Sequence, residues 1–273
     1  PTEEEQTTAY RDVIRQLDGL PVIMRTLDLG ADKVGKFTLL EPEANPSLGL
    51  RSIRLSLRQP KMLRTQLRAM VRAAMGGKLK IMFPMISTLH ELRTARMLLR
   101  QVIDDLAEEG LHLTQKIEVG MMVEVPAAVL MLEHFVREVD FISIGTNDLI
   151  QYTMAADRGN EYVADLYAAH DPAVLRLIRT SVDVARAAGV EVSVCGEMSS
   201  NPITSLLLVG LGVRILSAPP ASLPQMKQAL RQVSLEDCTQ IAKRVFEFDV
   251  AREVDAYLKT RFAELLPDMA LGV

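Results

Sequence analysis

The chain has 273 residues, of which 48% are hydrophobic and 24% are charged, and its formal net charge is −4. It can therefore bury the core of one large α/β barrel or of two smaller domains. The absence of a basic run argues against nucleic-acid binding, no apolar run reaches the length of a membrane span, and two cysteines make no disulfide framework. A reducing, cytoplasmic setting without membrane insertion is the prediction.

The predicted elements alternate between helices and short apolar strands. The first helix is predicted over residues 2–17, where Thr2 and Glu5 fit a capping box. Buried strands are predicted over the apolar runs 21–27, 79–85, 117–123, 140–144, 190–194 and 213–216. Residues 45–54 predict either a further strand or the lead-in to the next helix. Later helices are predicted over 60–76, 88–110, 126–137, 172–188, 202–208, 222–232 and 235–264.

Strands that alternate with helices imply a parallel sheet with right-handed crossovers. Seven strands are predicted if the one near Arg51 forms, whereas a (β/α)8 barrel needs eight. An open doubly wound sheet is the alternative, but no Gly-rich phosphate fingerprint follows the first predicted strand. We therefore expect an α/β chain that forms one TIM-type barrel domain over residues 1–273, with C-terminal helices. The first barrel strand is expected upstream of Pro1, so that the barrel is truncated at its N-terminus.

Functional side chains recur where the predicted strands end. The residues at or just past such ends are Arg25, Glu124, Asp148 and Cys195. The residues in adjoining loops are Arg51, Asn147 and Arg158. In a barrel these ends meet at the face that carries the active site. Two carboxylates suit Mg²⁺, which completes its octahedron with substrate oxygens and water, and arginine forks match phosphate and carboxylate oxygens. The pattern predicts a phosphorylated carboxylic acid bound through Mg²⁺.

Ordinary structural interpretations of the same residues remain open. Arg25 lies inside a β-branched run, where an unpaired guanidinium is costly to bury, so it either pairs with Asp28 or Asp32 or binds a ligand. The Asn147-Asp148 pair also fits an Asx-type turn in a loop.

Six longer segments resemble those of a known family. They are LDLGADK, NPSLGLRSIR, KIMFPMIS, VGMMVEVPAA, DFISIGTNDLIQYTMAADRGN and CGEMSS. Together they make the chain similar to the C-terminal domain of enzyme I of the bacterial phosphoenolpyruvate-dependent phosphotransferase system, in its sugar or its nitrogen pathway. The wider family includes pyruvate phosphate dikinase and phosphoenolpyruvate synthase. The resemblance covers nearly the whole chain.

The resemblance implies a phosphoenolpyruvate-binding barrel that forms a homodimer and uses Mg²⁺, with Mn²⁺ as an alternative. The implied activity moves the phosphoryl group of phosphoenolpyruvate to a histidine on a separate domain of the same protein and releases pyruvate. A small histidine phosphocarrier protein would then receive the phosphoryl group. The alternatives are a fragment of a dikinase or synthase, or a non-catalytic module that senses phosphoenolpyruvate.

The resemblance also implies roles for single residues. Glu124 and Asp148 match the metal-binding carboxylates of the family. Arg25 and Arg158 match its phosphate-binding arginines, and Arg51 matches a further active-site arginine.

Two further site residues are implied in the same way. Asn147, with Asp148, matches the pair that lines the carboxylate end of the substrate. Cys195 matches the cysteine that donates a proton, although a lone thiol is also often a buried structural residue. Cys238 lies in a predicted C-terminal helix and is expected to be structural.

The sequence departs from the family in two places. The family's first barrel strand carries another phosphate-binding arginine in a motif like YRTEFL, and its phosphorylatable histidine lies on an N-terminal domain; neither is found here. This stretch alone is therefore expected to be an incomplete enzyme. None of the histidines lies in the phosphohistidine motif, and all are expected to be surface or capping residues: His90, His112, His134 and His170.

Overall fold

A computed structural model describes residues 1–28 and 43–269 of the chain. The chain divides into two compact units. The first comprises Pro1–Met122 and Glu138–Phe141, and the second comprises Val123–Arg137 and Ile142–Val273, of which the described part ends at Met269. One domain over residues 1–273 stays a prediction.

The first unit contains three parallel strands and four helices in its described part. Their bounds are α1 Glu3–Gln16, β1 Val22–Arg25, α2 Ser52–Arg58, α3 Pro60–Ala74, β2 Leu79–Phe83, α4 Leu89–Glu108 and β3 Glu118–Val123, with a 3₁₀ turn at Pro46–Leu48. The last residue of β3 belongs to the second unit. The strands lie in the order β1-β2-β3, with Val22 opposite Leu79 and Lys80 opposite Glu118.

The second unit continues the alternation. Its elements are α5 Pro126–Leu130, α6 Leu132–Phe135, β4 Phe141–Gly145, α7 Thr146–Met154, α8 Pro172–Ala187, β5 Glu191–Cys195, α9 Glu197–Ser200, α10 Pro202–Gly210, β6 Ile215–Leu216, α11 Leu223–Gln232, α12 Leu235–Arg244 and α13 Ala251–Leu265. Phe141, the first residue of β4, belongs to the first unit. Further 3₁₀ turns lie at Glu161–Leu166, Pro220–Ser222 and Val245–Glu247. The strands follow the order β4-β5-β6, and β5 and β6 are parallel.

Helix caps and apolar stripes explain where the elements begin and what they bury. Thr2 and Glu5 form the predicted capping box of α1, and the Asp171 side chain caps α8 by accepting from the Ala173 N–H. Helix α3 buries Leu63 at its apolar stripe. The C-terminal helices α11 to α13 share one core with α10, made of Leu206, Ala229, Cys238, Phe262, Leu266 and Met269.

The predicted alternation of strands and helices is confirmed, and the extra strand near Arg51 is wrong. Residues 45–54 fold into the 3₁₀ turn and the start of α2, which buries Ile53 and Leu55. Pro46 is the first residue of the turn, a position that its fixed φ suits. Of the two interpretations of this segment, the lead-in to a helix is the one that forms.

Three further boundaries differ from the predictions. The helix expected over 126–137 is broken at Met131, and the loop expected at residues 147–148 is the first turn of α7. The helix expected over 235–264 is interrupted, because Phe248 and Val250 have extended backbones. The Phe248 ring packs against the Tyr257 ring at a centroid distance of 5.4 Å, a tertiary contact that holds this bend.

No helix within residues 1–28 and 43–269 combines the length and the apolar character that a membrane crossing requires.

Candidate functional site

Strand β4 places Asp148 in the second unit. Every residue of β4 is buried, and α7 begins immediately after it at Thr146. Asp148 therefore lies in the first turn of a helix, where the backbone N–H groups favour a negative charge. Its side chain is buried, with 6% of the residue exposed.

Strand β3 delivers a second buried carboxylate to the same unit. Glu124 follows the last residue of β3 and is 2% exposed. One carboxylate oxygen of Glu124 lies within 4.8 Å of one of Asp148. Two buried negative charges this close repel each other strongly, and a divalent cation would replace that repulsion by attraction. The hard oxygen donors fit Mg²⁺ or Mn²⁺.

Arg158, in the loop after α7, lies beside Asp148. Arg158 Nη1 lies 3.8 Å from Asp148 Oδ1, and the Arg158 side chain is 44% exposed. The Arg158 backbone N–H donates to Gln151 Oε1 at 3.2 Å, which fixes the loop to the end of α7. The guanidinium is therefore anchored beside one carboxylate while much of it stays accessible to an anion.

Cys195 ends strand β5 and faces the neighbouring strand β4. The Ser143 hydroxyl is 3.7 Å from Cys195 Sγ, and Sγ is 3.6 Å from the Ile144 carbonyl oxygen. The residue is half-buried, whereas Cys238 is buried in the C-terminal core. Both cysteines lie in the described part of the chain, and neither is joined in a disulfide.

A set of hydrogen bonds, the β4–β5 clasp, joins the ends of these two strands. Thr146 Oγ1 donates to the Cys195 carbonyl oxygen at 2.9 Å, and Asn147 Oδ1 accepts from the Glu197 backbone N–H at 2.9 Å. Gly196 adopts φ +102°, and a Cβ there would lie 2.4 Å from Thr146 Oγ1. Glycine is therefore required to let the clasp close.

The clasp changes the expected role of Asn147. Its amide oxygen is engaged by Glu197, so the amide nitrogen is the group that could meet a substrate carboxylate.

The first unit holds the remaining two arginines around one carboxylate. Arg51 is buried and its Nη2 donates to both oxygens of Asp28, at 3.0 and 3.2 Å. Arg25 lies exposed at the end of β1, with Nη1 3.6 Å from Asp28 Oδ2 and 3.7 Å from Met122 Sδ. Of the two interpretations of Arg25, the ion pair with Asp28 is present, and ligand binding stays a prediction. Asp32 lies outside the described residues.

Five of the seven predicted site residues thus share the second unit: Glu124, Asn147, Asp148, Arg158 and Cys195. Arg25 and Arg51 share the first. Sequence reasoning missed Thr146 and Tyr167. Thr146 could have been found from its place directly before Asn147, whereas nothing in the sequence near Tyr167 marks it.

Tyr167 is half-buried beside this group. Its hydroxyl donates to the Asn147 carbonyl oxygen at 3.0 Å. Burial, together with the negative charge of Glu197, raises the pKa of Tyr167 to about 12. The phenol therefore stays protonated at neutral pH.

Comparison with known proteins places the chain in a family. The family described as "PEP-utilising enzyme, PEP-binding domain" matches residues 1–235. A phosphoenolpyruvate-protein phosphotransferase of Geobacillus stearothermophilus is 48% identical over 263 residues, which make 96% of this chain and 46% of that protein. One of Bacillus subtilis (strain 168) is 43% identical over 262 residues, again 96% of this chain and 46% of that protein. The chain spans about half the length of the curated relatives it matches.

A solved structure shares the fold at low sequence identity. The crystal structure of a citrate lyase from Burkholderia xenovorans LB400 aligns with a TM-score of 0.51 and 14% identity. The alignment covers 96% of this chain and 89% of that one. At this identity the likeness concerns the α/β fold alone.

Proposed function

Because the chain belongs to the family of phosphoenolpyruvate-binding domains of PEP-utilising enzymes, we propose that it is the catalytic domain of a phosphoenolpyruvate-protein phosphotransferase. The observation that carries the proposal is the buried Glu124–Asp148 pair, with Arg158 at 3.8 Å from Asp148. A carboxylate pair for a hard cation beside an accessible guanidinium suits a phosphorylated carboxylic acid. The relatives' names support this function over a dikinase, a synthase or a sensing module.

The proposed reaction moves the phosphoryl group of phosphoenolpyruvate to a histidine of a separate N-terminal domain. Pyruvate is released, and a small histidine phosphocarrier protein receives the phosphoryl group from that domain. We propose further that residues 1–273 form one domain of the TIM-type barrel class, as part of such a barrel, and that the chain forms a homodimer and works in the cytoplasm. The family match and the alternation of parallel strands with helices support the barrel.

Glu124 and Asp148 would hold Mg²⁺, or Mn²⁺ in its place. When bound, the ion supplies positive charge to the phosphate and enolate oxygens of the substrate. The fit rests on the two buried carboxylates, whose mutual repulsion a divalent cation would offset.

The arginines are assigned to the anionic groups of the substrate. Arg158 presents an accessible fork that can bind two phosphate oxygens, and Asp148 restrains it. Arg25, whose side chain is 43% exposed, is assigned to phosphate binding on the family resemblance. Arg51 donates two hydrogen bonds to Asp28 and so orients that carboxylate. It is also assigned to the anionic substrate as a further active-site arginine. Asn147 is assigned to the substrate carboxylate.

Cys195 is assigned the proton that completes pyruvate. Removal of the phosphoryl group leaves the enolate of pyruvate, whose methylene carbon must gain a proton. A protonated thiol positioned beside that carbon can act as this acid. The hydrogen bond from the Thr146 hydroxyl to the Cys195 carbonyl oxygen holds the Cys195 backbone at the end of β5. The position of the Cys195 side chain is restrained as a result.

Calorimetric titration of this chain with phosphoenolpyruvate in the presence of Mg²⁺ tests the proposal. We expect binding by the parent, loss of most binding in Glu124→Gln, and unchanged binding in Glu133→Gln, which alters an exposed glutamate of α6 in the same unit. Pyruvate release should then require a supplied histidine-bearing domain. Binding without any pyruvate release would favour the sensing module, and no binding by the parent would refute the proposal.

A further inference from the structure

A groove in the second unit, the α8–α12 groove, is lined mainly by charged side chains and has a volume of about 320 Å³. Its charged and aromatic lining residues are Arg179, Asp183, Arg186, Lys243 and Phe246. The first three recur on α8 at the spacing of one helical face, and the last two lie three apart on α12 and the turn that follows it. The end of α10 lines the groove as well. None of the predicted site residues lines it.

The groove lies near the starts of β5 and β6. Helix α8 ends shortly before β5 begins at Glu191, and α10 ends shortly before β6 begins at Ile215. Cys195, by contrast, is the last residue of β5. The groove is therefore distinct from the candidate site, which gathers residues where the strands end.

Two guanidinium groups of the groove are held in place by uncharged groups. Arg179 stacks on the Phe246 ring, with its Cζ 3.9 Å from the ring centroid. Arg186 Nη2 donates to the Leu211 carbonyl oxygen at 3.4 Å. A Cβ at Gly212 would collide with Arg186 Nη2, so glycine leaves the space that this guanidinium occupies. Because a guanidinium has five N–H donors, both arginines keep donors for a ligand.

The positive charges of the groove are not neutralised by neighbouring carboxylates. Within residues 1–28 and 43–269, Arg179, Arg186 and Lys243 form no ion pair. Three cations and the single carboxylate of Asp183 give the lining a net charge of +2, in a chain whose net charge is −4. The helix dipole favours a cation in the last turn, which accounts for Arg186 and Lys243 singly. Arg179 lies in the middle of α8, and a bound anion would offset the repulsion among all three.

We propose that the α8–α12 groove is a binding site for a small soluble phosphorylated ligand, which Arg179, Arg186 and Lys243 hold through its phosphate groups. Guanidinium forks match phosphate oxygens, and lysine adds a point charge. The volume is that of a site for a small ligand. The proposal is independent of the function proposed above.

Phe246→Trp supplies a fluorescent reporter in the groove, since the chain has no tryptophan and an indole keeps an aromatic face for Arg179. The probe is pyrophosphate, titrated in EDTA at an ionic strength held constant with NaCl. We expect a saturable change in fluorescence. Arg186→Gln in the reporter chain should raise the dissociation constant about tenfold, the effect of one lost charge-assisted hydrogen bond. Asp183→Asn should lower the dissociation constant, because it removes the one negative charge that faces the ligand.

Arg176→Gln is the matched control, because it removes the same charge from an exposed position of α8 outside the groove. It should bind pyrophosphate as the reporter chain does. Thermal unfolding without ligand verifies that the variants are folded. In chains without the reporter, pyrophosphate should raise the unfolding temperature of the parent more than that of Arg186→Gln.

Three outcomes would overturn the proposal. The first is a reporter that shows no saturable response to pyrophosphate. The second is equal weakening by Arg176→Gln and Arg186→Gln, which would indicate a diffuse field instead of a site. The third is a thermal gain from pyrophosphate that Arg186→Gln retains in full, which would place the ligand elsewhere on the chain.

Discussion

The hydroxyl of Thr146 donates a 2.9 Å hydrogen bond to the carbonyl oxygen of Cys195, which joins the first residue of α7 to the last residue of β5. Thr146 is fully buried, so Thr146→Val would remove this donor in surroundings where water does not replace it. We expect the free energy of unfolding to fall by about 1–3 kcal/mol in a urea titration. Thr146→Ser should retain most of the stability.

Thr153→Val on the same helix is the control for Thr146→Val. The Thr153 hydroxyl donates to the Leu149 carbonyl within α7 and joins no second element. Its loss should cost less than about 1 kcal/mol. Equal losses at the two threonines would mean that the clasp adds nothing to stability.

Gly196 should tolerate no side chain. At φ +102° an L-residue is strained, and the added Cβ would lie 2.4 Å from Thr146 Oγ1 and 2.7 Å from Asn147 Oδ1. We expect Gly196→Ala to lower the free energy of unfolding by about 2–5 kcal/mol, from strain and overpacking together. Gly189→Ala isolates the backbone contribution, because Gly189 has φ +69° with nothing within 4 Å of its Cβ position. Gly189→Ala should lower the free energy of unfolding by about 1–2 kcal/mol. A loss as large as that of Gly196→Ala would contradict the steric explanation.

Magnesium should stabilise the parent through its buried carboxylate pair. At a Mg²⁺ concentration ten times the dissociation constant, linkage predicts a gain of about 1.4 kcal/mol, measured as a raised unfolding temperature. Glu124→Gln removes one of the two charges, so it should relieve repulsion without the ion and lose most of the gain with it. NaCl at matched ionic strength is the control. An equal Mg²⁺ response in parent and variant would place the ion elsewhere.

Cys195 and Cys238 should differ in their effect on turnover. Cys195→Ala removes the proposed acid and should slow pyruvate formation by about 10²- to 10⁴-fold while phosphoenolpyruvate still binds. The measurement is pyruvate release with the histidine-bearing domain supplied. Cys238 is buried in the C-terminal core, where burial raises the pKa of its thiol, and Cys238→Ala should turn over like the parent. Normal turnover by Cys195→Ala would assign the proton to another group.

His170 should make stability depend on pH. It is half-buried, and burial lowers its pKa although Asp255, at 3.6 Å, opposes the shift. The folded state therefore favours neutral His170, and its contribution is fully present above the unfolded pKa near 6.5 and lost as the pH falls below that value. His170→Gln should lose less stability than the parent between about pH 7 and pH 5 in urea unfolding. Asp255→Asn should enlarge the loss, and an unchanged pH dependence in both variants would contradict this.

Much of the candidate site could be predicted because strand ends and caps are local features. Glu124 and Cys195 lie at the ends of β3 and β5 as expected, since each follows a short run rich in valine that is typical of a buried strand. The sequence predicts Asp148 just past β4 and is compatible with a loop there, whereas Asp148 lies in the first turn of α7. Local pattern could not separate these, because an Asn-Asp pair suits both a turn and a helix N-terminus.

The sequence by itself determined the α/β alternation, the family and the residue types of the site. The spacing of apolar residues, the capping residues and the long motifs are all local features that can be recognised in short stretches of sequence. Tertiary structure decided that residues 45–54 lead into α2 instead of forming a strand, that the C-terminal segment is interrupted where the Phe248 ring packs on Tyr257, and that Tyr167 meets Asn147. Each of these depends on which distant side chains bury one another or complete a hydrogen bond. Such pairings follow from the packing of the whole unit, and no local preference encodes them.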